Sequence, residues 1–129
     1  MKVLCVKIIN SVTRREEDQS PWLELGKEYV VLAIFAPFAL STSFLLVSDD
    51  TSKLPVPFDA NQFEIVCGAL PTTWIAGSDK EGRVEIAPEK WLREDFWLDF
   101  YDRDPRALED FRIEANQILR EFGSDEWNR

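Results

Sequence analysis

Apolar residues in the first two thirds of the chain fall in short runs that are typical of β-strands. Residues 3–9, 29–35 and 43–47 are rich in β-branched and aliphatic side chains, while apolar and polar side chains alternate over residues 63–66. Such composition favours strands, and a period of two is expected where one face of a strand is buried. We predict a strand at each place, with 29–35 central in a sheet because it is almost continuously apolar.

Polar, glycine and proline residues separate these runs. Residues 10–20 are polar and charged, which predicts an exposed loop, and Pro37 should end the strand before it because proline cannot donate to a ladder. Residues 49–53 are polar and predict a turn. Residues 72–75 and 83–86 flank a polar tip bounded by glycines, which predicts a hairpin with a longer loop.

The hydrophobic period changes in the last third of the chain. Aromatic side chains over residues 91–102 are spaced as in a short helix, which Pro88 would begin. Asp104 followed by Pro105 is typical of a helix start, since Asp caps backbone N–H groups and Pro fits the first turn. The apolar positions that follow form one helical stripe: Leu108, Phe111, Ala115, Ile118, Leu119 and Phe122.

Strands first and helices last predict an α+β fold. We expect an antiparallel sheet over about residues 1–87, for which a barrel is one arrangement, with C-terminal helices over about 88–102 and 104–122 packed on it. A chain of 129 residues fits a single domain, 1–129, with a core of its own. A monomer and a small oligomer are both compatible with this pattern.

The charged composition narrows the classes of function. The chain has 24 acidic and 15 basic residues, a net charge of −9, and no histidine. Histidine is the commonest general base and metal ligand, and neither a phosphate-binding glycine loop nor a nucleophile motif occurs in the sequence. We therefore predict no catalytic residue, no cofactor and no metal site, and expect the protein not to be an enzyme.

Nucleic acid and membrane are poor matches as partners. Phosphate contacts need clustered basic side chains, and the one basic pair, Arg14 and Arg15, is followed directly by three acids. No apolar run reaches the roughly 18 residues that a membrane span needs. The first residues lack the pattern of a secretory signal, so a cytoplasmic location is expected. A negative net charge would instead attract a basic protein.

Acidic residues of the predicted first helix are the leading candidates for binding such a partner. On a helix over 91–102, Asp95, Asp99 and Asp102 would share one face and could meet a basic patch on another protein. The same residues would otherwise form an ordinary solvated face relieved by neighbouring arginines, so both interpretations stay open. Exposed loops supply a reserve set: Glu16, Glu17, Asp18, Asp79 and Glu81.

Aromatic residues divide into a predicted core and a predicted surface. Trp91, Phe96 and Phe100 should pack between sheet and helices, because large aromatic side chains contribute most when buried. Trp22 and Trp127 lie in polar surroundings and are predicted to be exposed. Exposed tryptophan side chains often anchor interfaces, which adds Trp22 to the candidate partner-binding residues.

Several segments together carry a resemblance to a known class of proteins. They are residues 26–32, 58–66, 70–74, 88–91 and 96–102. In size, acidity and layout over residues 26–122, the chain is similar to bacterial immunity proteins of toxin–immunity systems, including those of contact-dependent growth inhibition. The resemblance assigns no site residues. It implies a non-enzymatic cytoplasmic inhibitor that binds a cognate basic toxin domain, commonly a nuclease, and occludes its active site or substrate surface.

Two other interpretations remain open at the level of the sequence. A small adaptor or regulatory domain would recognise an endogenous protein or peptide through its sheet. An enzyme that uses carboxylates alone would need two converging acids in a deep pocket. A toxin gene directly upstream would favour the immunity role over both.

Overall fold

The computed structural model of the chain describes residues 1–36 and 41–128, so that Pro37, predicted to end a strand, lies outside the described residues. Antiparallel strands followed by C-terminal helices confirm the α+β class. The strands are β1 Lys2–Cys5, β2 Ile8–Ile9, β3 Glu16–Glu17, β4 Glu28–Val30, β5 Ala33–Ala36, β6 Ser43–Val47, β7 Pro55–Asp59, β8 Phe63–Cys67, β9 Trp74–Ser78 and β10 Val84–Pro88. The helices are α1 Phe96–Tyr101 and α2 Pro105–Glu121, and single 3₁₀ turns lie at Ala60–Gln62 and Glu89–Trp91.

The strands of the described ranges pair antiparallel in three sheets. A three-stranded sheet has the order β4–β1–β8, a five-stranded sheet has the order β7–β6–β5–β10–β9, and β2 pairs with β3 alone. Within these residues the sheets are open and do not form the closed barrel that the sequence allowed.

The five-stranded sheet is the middle layer of the fold. Ala33 and Leu45 are register partners on one of its faces, and both belong to the core that the helices cover. Ile34 and Phe44 are the adjacent pair, and they pack into the core shared with the three-stranded sheet. Because side chains alternate along a strand, the same two strands supply both cores.

The core on the helix side is built around Phe111 of α2. Its ring centroid lies 4.9 Å from that of Trp91, 4.7 Å from that of Phe100 and 4.8 Å from that of Trp127. Trp91, Phe96 and Phe100 are buried, which confirms their predicted place in the core. These contacts hold α1 against α2 and thereby fix the segment that leads into α1.

Trp127, predicted to be exposed, is buried: it keeps only 4 % of its accessible surface. Its indole Nε1–H donates to the carbonyl oxygen of Lys53 at 2.7 Å, and its backbone N–H donates to Oδ1 of Asn116 at 2.6 Å. The chain leaves α2 at Gly123, whose φ of +71° is a conformation that ends helices. The prediction was wrong because the burial of a large ring outweighs the polar character of its sequence neighbours.

Two of the predicted strands are divided. Residues 29–35 supply β4 to the three-stranded sheet and β5 to the five-stranded sheet, with Val31 and Leu32 fully buried between them. Residues 3–9 supply β1 and β2 in the same way.

The segment Glu16–Glu17, predicted to be part of a loop, forms β3, which pairs with β2. Two-residue strands show no period, which is why the sequence did not reveal this pairing.

The predicted helix over residues 91–102 is only partly formed. α1 covers its second half, and Asp95 directly before it has a φ of +62°, in the left-handed region that interrupts a right-handed helix. Pro88, predicted to begin a helical turn, ends β10 opposite Trp74 and is also the N-cap residue of the 3₁₀ turn Glu89–Trp91. Proline fits both places, because its missing N–H is tolerated at a helix start and at the end of a strand.

Asp104 caps α2 as the sequence predicts, with Oδ2 accepting from the backbone N–H of Ala107 at 3.0 Å. We expect Asp104→Ala to lower the free energy of unfolding by about 1 kcal/mol, because an N–H group at the helix start loses its acceptor. Urea denaturation followed by far-ultraviolet circular dichroism measures the change. Asp102→Ala is the control, since it removes the same charge two residues earlier without removing a cap. Equal losses in both variants would assign the effect to charge.

Candidate functional site

A groove separates the tip of the β9–β10 hairpin from the segment that leads into α1. It has a volume of about 500 Å³ and is lined from residues 77–85 on one side and 91–98 on the other; we call it the hairpin groove. The walls approach each other at Gly77, where an added Cβ would lie 3.1 Å from Cδ1 of Leu92. A larger residue would crowd Leu92, so glycine permits the close approach that shapes the groove.

Asp79 organises the tip of the hairpin. Its Oδ1 accepts from the backbone N–H groups of Glu81 at 2.9 Å and Arg83 at 3.0 Å, and its Oδ2 accepts from Nε of Arg83 at 2.5 Å. Partial desolvation raises the pKa of Asp79, but these hydrogen bonds and the guanidinium charge outweigh it and lower the pKa below its ordinary value. Asp79 is therefore ionised at neutral pH and held in place.

Exposed ion pairs cross and border the groove. Lys80 of the tip pairs with Glu94 on the opposite wall, and Arg93 on that wall pairs with Asp99 at 2.9 Å. Exposed pairs of this kind typically contribute about 0–1 kcal/mol. Breaking either pair would therefore cost the fold little stability.

Glu85 lies deeper in the groove, on the sheet surface between its register partners Gly77 and Phe35. Its carboxylate is partly buried and has no hydrogen bond or ion pair with any other described residue. Burial raises the pKa of this carboxyl, repulsion by Asp79 adds to the effect, and Arg83 opposes it. The groove thus contains two carboxylates, those of Glu85 and Asp95, that have no hydrogen bond or ion pair with another described residue.

Residues 79–104, which include both walls of this groove, are more acidic than the first part of the chain. Residues 79–104 contain nine acidic and five basic side chains, a net charge of −4 out of the −9 of the whole chain. Residues 1–36, by contrast, contain five of each. The acidity of the protein is therefore unevenly distributed along the chain.

Three of the predicted partner-binding residues meet in the hairpin groove. Asp79 and Glu81 on the tip and Asp95 on the opposite wall all line it. Asp99 lies in α1 and pairs with the arginine of that wall, while Asp102 follows the end of α1 and lies outside the lining. The prediction that Asp95, Asp99 and Asp102 share one helical face is wrong, because only Asp99 lies within α1.

The remaining predicted residues belong to a different part of the surface. Glu17 and Trp22 line a second cleft of about 400 Å³ beside the β2–β3 pair. Trp22 is 51 % exposed, which confirms its predicted surface position. Glu16 and Asp18 are exposed as well but do not line this cleft. The structure therefore divides the predicted set into two groups.

No family model, curated protein or solved structure matches this chain.

A third cleft, of about 780 Å³, lies between β4 and the segment after α2. On its wall the hydroxyl of Tyr29 donates to Oδ2 of Asp49 at 2.5 Å, and Lys27 pairs with the same carboxylate. Burial and the hydrogen bond to Asp49 raise the pKa of Tyr29, so the hydroxyl stays protonated. Lys2 and Lys53 also line this cleft, which makes it mixed in charge. The sequence did not reveal it, because its residues come from four separate segments.

The described residues offer neither a metal-binding cluster nor a membrane-spanning helix. Residues 1–36 and 41–128 contain no group of three or more acidic or cysteine side chains placed to hold a metal ion. No helix in these ranges is long and apolar enough to cross a membrane. Cys5 is buried, Cys67 is partly buried, and both are free thiols.

Proposed function

We propose that this protein is a non-catalytic inhibitor that binds a basic toxin domain, of the nuclease class, and covers the surface with which the toxin holds its substrate. The observation that carries the proposal is the hairpin groove. There the fold brings five acidic and three basic side chains from two separate segments together around one cleft, a net charge of −2.

The charge of the groove suits a nucleic-acid-binding partner. Nucleases hold phosphate groups with clustered lysine and arginine side chains, and the same side chains would find carboxylates on the rim of the groove. Asp79 is ionised and positioned by the hairpin tip, and Glu81 and Asp95 flank the opening. Complementary charge speeds association and excludes acidic competitors, which an inhibitor that must act before the toxin needs.

Exposed apolar side chains lie beside the charged rim of the groove and could add apolar contact area to an interface. Leu98 is 63 % exposed on the groove wall, and Tyr101 is 47 % exposed one turn further along α1. Interfaces combine a few apolar or aromatic anchors with a polar rim. The groove and α1 therefore offer both parts of an interface on one continuous stretch of the chain.

The proposal is tested first by finding the partner. The tagged chain is used as bait in a lysate of its source bacterium, at low and at moderate salt, and retained proteins are identified by mass spectrometry. We expect one basic protein in stoichiometric amount, whose expression alone arrests growth and whose effect is removed by co-expression of this chain. A retained partner that is not toxic would support the adaptor interpretation and contradict the inhibitor role.

Charge reversal at the rim should slow the association of this complex. We expect Glu81→Lys combined with Glu94→Lys to lower the association rate about tenfold at low salt, because both side chains are exposed at the groove opening and steer a basic partner. Stopped-flow or surface plasmon resonance measures the rate, and the effect should shrink as salt increases.

The matched control for this experiment changes the same charge elsewhere. Glu24→Lys combined with Glu64→Lys reverses two exposed acids that do not line the hairpin groove. We expect it to change the association rate much less than the rim variant does. Equal slowing by both variants would show that net charge alone steers the partner, and would contradict the placement of the interface at the groove.

A further inference from the structure

The outer edge of β9 lacks the protection that the other edges of the two larger sheets have in the described residues. These edges are β4 and β8 in one sheet and β7 and β9 in the other. β4 has three residues and begins with Glu28, β7 contains Pro55 and Pro57, and β8 has a register shift against β1. Short length, charge, proline and bulges are the usual ways in which proteins prevent an edge from pairing. β9 has five residues in regular register with β10, and none of them is charged or a proline.

The backbone polar groups of Ala76 and Ser78 face outward on this edge. The backbone N–H of Asp79 donates to the carbonyl oxygen of Arg83 at 3.0 Å, so Asp79 faces β10. Since successive residues of an antiparallel strand face opposite sides, Gly77 also faces β10, while Ala76 and Ser78 face away from it. Within the described part of the chain, the N–H and C=O groups of these two residues have no hydrogen-bond partner. A strand placed beside β9 would supply the missing partners.

The surface around this edge is exposed and free of charge. Residues 65–78 contain no charged side chain, although charged residues make up 30 % of the whole chain. Ile75 is 46 % exposed, and Ala76 and Ser78 are exposed as well. Two copies of a chain with a net charge of −9 repel each other, and they approach with least repulsion where neither is charged. An uncharged edge also offers a basic partner no electrostatic attraction, so it suits a second copy better.

We propose that two copies of this chain pair through β9 in antiparallel orientation, so that the two five-stranded sheets become one continuous sheet. A two-fold axis at Ala76 makes the Ala76 residues of the two copies a hydrogen-bonded pair. It also places the N–H of Ser78 in each copy opposite the C=O of Trp74 in the other. Each copy then donates through Ala76 and Ser78 and accepts through Ala76 and Trp74, which satisfies the outward groups described above.

The same register makes the two edges complementary in shape. It places Ile75 of each copy opposite Gly77 of the other, and directly opposite residues share one face of the sheet. Gly77 has no side chain, and Cδ1 of Leu92 would lie 3.1 Å from a Cβ added there. The exposed Ile75 side chain therefore crosses the glycine of the second copy and packs beside Leu92. A two-fold axis at Gly77 would instead place Ile75 opposite the carboxylate of Asp79.

Sedimentation velocity of the full chain tests the proposal. We expect a dissociation constant on the order of 1–10 µM, as for a small interface. The chain should then be mostly dimeric at about 200 µM and mostly monomeric at about 0.2 µM. The dimer should tighten between about 20 mM and about 500 mM salt, because screening weakens the repulsion between two acidic copies. A monomer at about 200 µM, or a dimer that weakens as salt increases, would overturn the proposal.

Ala76→Lys places the interface on β9. In the proposed dimer the two lysines lie opposite each other at the two-fold axis, and like charges in that position are destabilising, so we expect the dissociation constant to increase at least about tenfold. Ala69→Lys adds the same charge at an exposed alanine outside β9 and should change the constant by less than about twofold. Circular dichroism verifies that both variants are folded. Equal dissociation constants for the two folded variants would contradict pairing through β9.

Hydrogen exchange tests the same pairing in the parent chain, without a substitution. The N–H groups of Ala76 and Ser78 are hydrogen-bonded only in the dimer, so they should exchange about tenfold more slowly at about 200 µM than at about 0.2 µM. The N–H of Gly77 faces β10 in a single copy and should change much less. Mass spectrometry with peptide fragmentation resolves these sites. A dimer in which Ala76 and Ser78 exchange as fast as in the monomer does not pair through β9.

This inference goes beyond the proposed function and does not depend on it. A dimer with these properties and no toxic partner would leave the β9 interface assigned and remove the inhibitor role. A toxic partner whose association is slowed by the rim variant, together with a chain that stays monomeric, would leave the inhibitor role and remove the dimer.

Discussion

Trp127→Ala is expected to lower the free energy of unfolding by about 3–5 kcal/mol, which is a large part of the total stability of a small domain. The indole ring packs 4.8 Å from the ring of Phe111, and its Nε1–H donates to the carbonyl oxygen of Lys53. The substitution removes both the buried apolar surface and the donor, and leaves a cavity in the core on the helix side. The carbonyl oxygen of Lys53 also loses its hydrogen bond.

The same substitution at an exposed tryptophan provides the control. Trp22→Ala removes an identical side chain from the surface, so we expect a loss below about 1 kcal/mol. Both variants are compared with the parent chain by denaturation in guanidinium chloride. Similar small losses at both positions would mean that the segment after α2 is not packed on the core.

Phe111→Ala is expected to have a comparable effect, about 3–5 kcal/mol. Phe111 is fully buried, and its ring contacts Trp91 and Phe100 as well as Trp127. Ile113→Ala, two residues further along α2, is the control: Ile113 is 41 % exposed, so its truncation should cost about 1 kcal/mol or less. Equal losses at both positions would contradict the central place of Phe111 in this core.

The effects of Trp127→Ala and Phe111→Ala on stability should be coupled, because the two side chains are in direct contact. Because the rings of Phe111 and Trp127 touch, the double substitution should destabilise less than the sum of the two single ones, with a coupling of about 0.5–3 kcal/mol. Strict additivity would show that the two rings do not stabilise each other in solution.

The stability of the fold and the proposed recognition of a partner depend on different residues. The core around Phe111 holds α1, through Phe100, in the position that forms one wall of the hairpin groove. If the proposed interface is correct, core variants should therefore lose binding of the partner together with stability. Rim variants such as Glu81→Lys should lose association rate at unchanged stability, because exposed charges contribute little to folding.

The parts of the fold that have a clear local signal were predictable. α2 begins at Asp104 and Pro105, because the cap and the first-turn proline act within four residues. Its apolar stripe places Phe111, Ala115 and Ile118 in the core, since a helix presents one face to its neighbour. The β9–β10 hairpin follows in the same way from its strands and polar tip.

Features that depend on more than one segment were not predictable in this way. The helix over residues 91–102 is shorter than its spacing suggests, because Asp95 adopts a left-handed conformation that no local pattern announces. Trp127 is buried by contacts with Asn116 and Lys53, which are distant in the sequence. Glu85 was not singled out at all, because one acid in an alternating strand is unremarkable until the opposite wall of a groove is known.

The sequence by itself determined the α+β class, the start of α2 and the apolar stripe along that helix. It also determined that the protein is acidic and contains no histidine. Those properties follow from composition and from interactions within a few residues. Only the tertiary structure decided that Asp79, Glu81 and Asp95 meet around one groove, and that the carboxylate of Glu85 lies there without a hydrogen bond or ion pair to another described residue. The physical reason is that packing around Phe111 and Gly77 sets the distance between the hairpin and α1.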